Sequence, residues 1–194
     1  MKAIYLRQLQ EVLDRALPDA LPGFARSALR LSKTEREGAT LFQGSRLYAR
    51  TVNAGTQFIF LIPYSHRERF KAEVGWSTTG RFPAALTSHG PSQLPANELV
   101  MDEWLADFSD LYHRNRGLGH LGWDVWRCSV ASDHPDFNRA FIAENMAAVS
   151  DEEARARAES AVRECVTDLQ AIALPYLDEW ARYRGSSVPS AKGK

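Results

Sequence analysis

Phe70, Ala72, Val74 and Trp76 alternate with Lys71, Glu73 and Gly75, the sharpest hydrophobic–polar pattern in the chain. A period of two marks a strand with one dry face and one wet face, so Arg69–Ser77 is predicted as strand. Residues 2–17 follow the other period. Leu6, Leu9, Leu13 and Ala16 recur at steps of three and four, with Val12 and Leu17 widening the stripe. That spacing predicts a helix, which Pro18 stops by removing a backbone donor. Between these segments the pattern predicts strands at Phe24–Ser32, Ala39–Gln43, Leu47–Asn53 and Gln57–Ile62, with a charged turn at Thr34–Gly38. The unbroken Phe-Ile-Phe-Leu-Ile run from Phe58 predicts a central strand buried on both faces. Short turns, such as Asn53-Ala54-Gly55, favour an antiparallel meander.

Beyond Ser77 the periodicity lapses. Residues 78–96 are rich in Gly, Pro, Ser and Thr and read as a long loop, of a length that is often a lid or a binding loop. Val100, Trp104, Leu105, Phe108, Leu111 and Tyr112 predict a helix over 97–115, with Asn97 as N-cap and Gly117 and Gly119 ending it. Gly122–Val130 is predicted as a sixth strand. A third helix is expected from Asp133 to about Ala148, with Pro135 in its first turn. The last helix opens on a Ser150-x-x-Glu153 capping box. Its seam runs Ala158, Val162, Cys165, Leu169, Ile172, Tyr176 and Trp180, and Pro175 predicts a kink or break. The tail from Gly185 is small, polar and basic and is expected to be disordered. These elements sum to one α+β domain over 1–184. Its antiparallel five- or six-stranded sheet is packed by an N-terminal helix and C-terminal helices.

Three segments together carry a family resemblance: Leu21-Pro-Gly-Phe-Ala-Arg26, Leu41-Phe-Gln-Gly-Ser45 and Phe70-Lys-Ala-Glu-Val-Gly-Trp-Ser77. The first follows a helix, as it does in a bacterial family known as domain-of-unknown-function family 4304. The chain resembles that family over about residues 1–130. The resemblance implies a meander-plus-helix architecture and a bacterial intracellular setting. It implies no activity and no role for Gln43, Gly75 or Trp76.

Composition narrows the function. Basic and acidic residues balance at 24 each, which argues against a nucleic-acid binder. Arg26, Arg30, Lys33, Arg46 and Arg50 lie close together, and read either as a basic stripe or as charges guarding strand edges. The hydrophobic share of 44% suffices for a core. No run approaches a membrane span, and the charged N-terminus does not read as a signal peptide. Cys128 and Cys165 form no Cys-x-x-Cys pair, consistent with a reducing cytoplasm.

No catalytic or metal motif stands out. His113, His120 and Asp124 can meet at a helix-to-strand corner, but their spacing does not demand it. Cys128 lies near His120 and His134 in sequence; its place in an alternating strand reads as an inert thiol. The Gly117–Gly122 glycine spacing precedes a strand instead of opening a helix, the reverse of a dinucleotide fingerprint. Glu73 on the wet face is expected to pair across strands with an Arg such as Arg50. Aromatic residues are the stronger signal. Trp123 and Trp126 have opposite parity, so one should lie under a helix or open onto a binding surface. With Trp76 and Arg81 nearby in sequence, Trp76, Arg81 and Trp126 are the expected binding residues for a protein or peptide partner, and no cofactor or metal is expected. An immunity or accessory role in bacterial competition is one such function, by analogy. The alternative is an enzyme with a pocket between loop 78–96 and helix 97–115, using Glu73 or His113 as acid or base. The oligomeric state is left open.

Overall fold

The computed structural model describes residues 1–28, 44–64, 68–83 and 97–187. Its architecture is α+β: an antiparallel six-stranded sheet with helices packed on one face. Helix α1 spans Ala3–Ala20 and buries Tyr5, Gln8, Leu9, Val12, Leu13 and Leu17. Pro18 does not stop it. The proline removes only the bond to Asp14 within the last turn, and Leu21 N–H closes on Leu17 O at 2.9 Å.

The strands are β1 (Ala25–Ser27), β2 (Arg46–Val52), β3 (Gly55–Pro63), β4 (Arg69–Ser77), β5 (Glu103–Asp107) and β6 (Trp123–Asp124). They pair in the order β1-β2-β3-β4-β5, with β6 also against β4. The expected strand Ala39–Gln43, the turn Thr34–Gly38, and the end of the expected Phe24–Ser32 strand fall outside the described residues. β3 is central and buried through residues 57–61. β4 has the bounds its alternation predicts, but its second face is not wet. Glu73 is buried, because Leu47, Phe58 and Phe60 make a second small core on that face, with the Phe82 ring edge-on to both phenylalanines.

The helix expected over 97–115 is three elements. A 3₁₀ turn covers Glu98–Val100, with the Asn97 side chain accepting from Leu99 N–H. Glu103–Asp107 is strand β5, and only Phe108–Arg116 is helix, here α2. Trp104 and Ala106 fit either period. The open edge of β4 decides, pairing Trp76 with Trp104 and Val74 with Ala106. Gly117 caps α2 in the left-handed region at φ 69°. The sixth strand shrinks from the expected Gly122–Val130 to two residues. β5 occupies the β4 edge from Glu73 onward, and on the remaining stretch β6 pairs only with Arg69 and Phe70. Val125 and Trp126 then both donate to Glu68 O, at 2.7 and 3.1 Å, and the chain leaves the sheet.

Helix α3 covers Phe137–Met146, starting later than the expected Asp133. His134 Nδ1 accepts from Asp136 N–H at 3.1 Å and holds the preceding residues in turns. Helix α4 spans Asp151–Asp168, with the Ser150 hydroxyl accepting from Glu153 N–H at 3.1 Å. Pro175 brings no break. A π-helical turn at Leu169–Ala173 widens the helix, Leu174 N–H reaches Leu169 O, and helix α5 continues from Leu174 to Ser187. It therefore runs through the expected tail start at Gly185, held by Arg184 on Asp102 at 2.6 Å; residues 188–194 lie outside the described residues. α4 lies along α1, and α5 crosses the sheet, where Gln57 Nε2 donates to Leu177 O at 2.7 Å.

Candidate functional site

β4 places two of the three expected binding residues at one end and the third at the other. Trp76 sits near its C-terminal end and is fully buried. Its indole N–H donates to Met101 O at 3.0 Å, and its ring stacks on Trp180, so it offers no face to a partner. Arg81 is exposed in the turn that follows β4. Trp126 lies beside Glu68, at the strand's other end. A strand from 69 to 77 spans about 26 Å at ~3.3 Å per residue, so Trp126 and Arg81 do not share a site.

The parity argument for the two tryptophans resolves between them. Trp123 is buried under α4 and donates from Nε1 to Asp168 Oδ2 at 2.9 Å. Trp126 turns the other way, half-buried, with its ring 5.5 Å from that of Phe141. Phe137 continues the row, 5.6 Å from Phe141. These three rings, with Leu121, Val130 and Asn145, line a groove of about 640 Å³ between α3 and the segment after β6.

The rim of the groove is charged and self-neutralised. Asp124 accepts from Arg69 at 2.5 Å and from Arg127 at 2.7 Å. Burial alone would raise its carboxyl, but the two guanidinium groups hold it below the ordinary range. The Arg127 side chain stays 80% exposed while bound to Asp124.

Helix α3 is the residue set that sequence reasoning missed. None of its residues is buried, although Phe141, Ile142 and Met146 are large, apolar and exposed. Phe137 and Phe141 face the groove; Ile142 and Met146 form a second stripe four apart on the outer side. A helix apolar on two sides is expected to be covered on two sides. That signal was present in the sequence as large apolar residues at Phe137, Phe141, Ile142 and Met146, on more than one side of the expected helix.

The alternative acid–base pair does not converge. Glu73 lies on the sheet face away from the helices and pairs with Lys71 on its own strand, at 3.2 Å. The expected Arg50 partner points to the helix side, bound to Gln57 at 2.8 Å and to Asp178. Lys71 also donates to Asp107 at 2.8 Å. Burial raises the Glu73 carboxyl above its usual range despite Lys71, and its Oε2 is buried without a partner. His113 is exposed in the last turn of α2, and no hydrogen bond or ion pair among the described residues joins it to Glu73. His120, which the sequence left open, is packed among Phe108, Tyr112 and Trp123, with Nε2 3.7 Å from Asp168. Asp124 is engaged with Arg69 and Arg127, and the His113–His120–Asp124 meeting that the spacing allowed without demanding is not formed among the described residues. Cys128 is half-buried and Cys165 buried, both free thiols. Of the basic stripe, Arg26 and Arg46 both bind Asp14, at 2.8 and 3.1 Å, while Arg30 and Lys33 lie outside the described residues. Among the described residues no three His, Cys, Asp or Glu side chains gather as metal ligands, and no helix is long and apolar enough to cross a membrane.

No family model, curated protein or solved structure matches this chain.

Proposed function

We propose that this protein is a non-enzymatic binding module that docks an apolar segment of a protein partner in the Trp126 groove. One observation carries the reading: α3 leaves two apolar stripes uncovered beside a groove walled by three aromatic rings. Protein-binding surfaces are enriched in Trp, Phe, Met and Arg. Here Trp126, Phe137, Phe141 and Arg127 stand together at the groove. A helical segment suits the shape, since an amphipathic helix lays its apolar face into such a groove. The binding residues proposed are thus Trp126 of the original three, joined by Phe137 and Phe141. A bacterial cytoplasmic setting and an immunity or accessory role are part of the proposal, resting on the family resemblance and on analogy.

The test is a photo-crosslinking amino acid at position 145, on the groove wall, used in cells with mass spectrometry of the adducts. The expected result is a discrete protein adduct that Trp126→Ala reduces at least tenfold, with unchanged circular dichroism. No adduct of any kind would overturn the reading.

A further inference from the structure

Resting on that docking reading, we infer that α3 is a hinged flap that swings out to admit the docked segment, with a clasp between Glu144 and Ser129 as its latch. The stretch 127–148 supplies no side chain to either hydrophobic cluster. The residues on each side of it do. Trp126 and Val149 both pack on the main core and stay with the body of the fold. No residue of α3 is buried. A segment opens by itself when few buried apolar contacts hold it.

Both ends of the stretch suit a hinge. Before α3 the chain runs through two turns, with His134 N–H on Ala131 O and Phe137 N–H on His134 O, each at 3.0 Å. After it Ala147 is extended at ψ 144°, and only Ala148 and Val149 precede the N-cap Ser150 of α4. The clasp ties the two walls together. Glu144 shares a helical face with Phe137 and Phe141, seven and three residues away. It accepts the Ser129 N–H at 3.1 Å and the Ser129 hydroxyl, and Ser129 lies between the groove residues Cys128 and Val130. The Lys2 ammonium adds a long bond to Ala147 O at 3.4 Å. Ser129 is exposed, so water competes for these bonds and the latch is weak. Entry requires that it yield. The Trp126 and Phe141 rings stand with centroids 5.5 Å apart, and a helix about 10 Å across does not pass between them. Moving α3 separates those rings without disturbing the core.

The two free thiols report the motion. Cys128 lines the groove and is half-buried, whereas Cys165 is fully buried in the core and reacts only on wider unfolding. Iodoacetamide labelling of each thiol, read by mass spectrometry beside amide hydrogen exchange, tests the flap in the free protein. The α3 amides should exchange at least about tenfold faster than those of α4. Glu144→Ala should speed both α3 exchange and Cys128 labelling at least about threefold, with Cys165 labelling unchanged. Phe141→Ala, which leaves the latch in place, should act in the same direction. Exchange of α3 no faster than α4, or Cys128 and Cys165 labelled in step in every variant, overturns the flap. Crosslinking at position 145 decides the docking reading separately. An adduct on a chain whose α3 does not open keeps docking and removes the flap. An opening α3 with no adduct removes docking, and the admitting role with it. Circular dichroism on each variant excludes misfolding.

Discussion

Trp76 on β4 and Trp180 on α5 stack with ring centroids 5.2 Å apart and planes 14° from parallel. Both are fully buried, and Tyr176 leans on the same Trp76 ring at 5.3 Å. The π turn at Leu169–Ala173 leads directly into α5, so this stack ties the helix that follows the turn to the sheet. Trp180→Ala should therefore cost about 3–5 kcal/mol, the range for deleting a large buried ring. Urea unfolding would show it as a lower midpoint. Crosslinking at position 145 should be unaffected wherever the variant remains folded.

Gly75 faces the backbone of β5 with no room to spare. A Cβ added there would lie 1.9 Å from Trp104 O. Gly75→Ala must push β5 away from β4 and break the pairing of Gly75 with Leu105. The expected loss exceeds about 4 kcal/mol, which few single changes reach. A thermal melt close to that of the parent would contradict the strand assignment of Glu103–Asp107.

Glu73 sets one pH dependence. Its carboxyl titrates above its ordinary value in the folded state, so the native protein holds that proton longer than the unfolded chain does. Stability must then fall as pH rises from about 4.5 through the raised value. Glu73→Gln removes this slope while Lys71 keeps Asp107. The variant should gain on the parent as pH rises from about 4.5 and level off once Glu73 has lost its proton in the folded parent, as read in denaturant titrations. A constant difference across that range would show that burial does not perturb Glu73.

His120 slopes the other way. Burial among Phe108, Tyr112 and Trp123 lowers its imidazole, and the nearby Asp168, Asp107 and Asp124 only partly oppose that, with Arg69 adding to it. The unfolded chain binds the proton first, so stability is full above about 6.5 and is lost as pH falls toward the lowered value. His120→Gln should lose this component, so the parent gains on the variant as pH rises between about 5 and 7. A difference between the two melting temperatures that stays constant over that interval would refute the shift.

Much of the framework was legible along the chain. The capping box at Ser150 and Glu153, the limits of β4 and the doubly buried β3 follow from rules that operate within a few residues. The misreadings share one cause. Trp104–Ala106 has apolar side chains compatible with either period, and its state depends on an edge of β4 that lies far away in sequence. Gly122–Val130 alternates as a strand should, but β5 had already taken most of that edge. For the site, the aromatic excess near residue 126 was visible, whereas its division was not. Trp76 and Trp126 look alike in sequence, and only the arrival of α5 over one of them distinguishes core from groove.

The order of residues by itself determined helix caps, strand periods and an α+β mixture, because hydrogen bonds between near neighbours and side-chain alternation act over a turn or a pleat. The tertiary structure alone decided which faces are dry, since burial is a property of two surfaces that meet. Lys71 and Glu73 are enclosed because Leu47, Phe58, Phe60 and Phe82 gather on their face, and Ile142 and Met146 stand in solvent because no element among the described residues crosses α3.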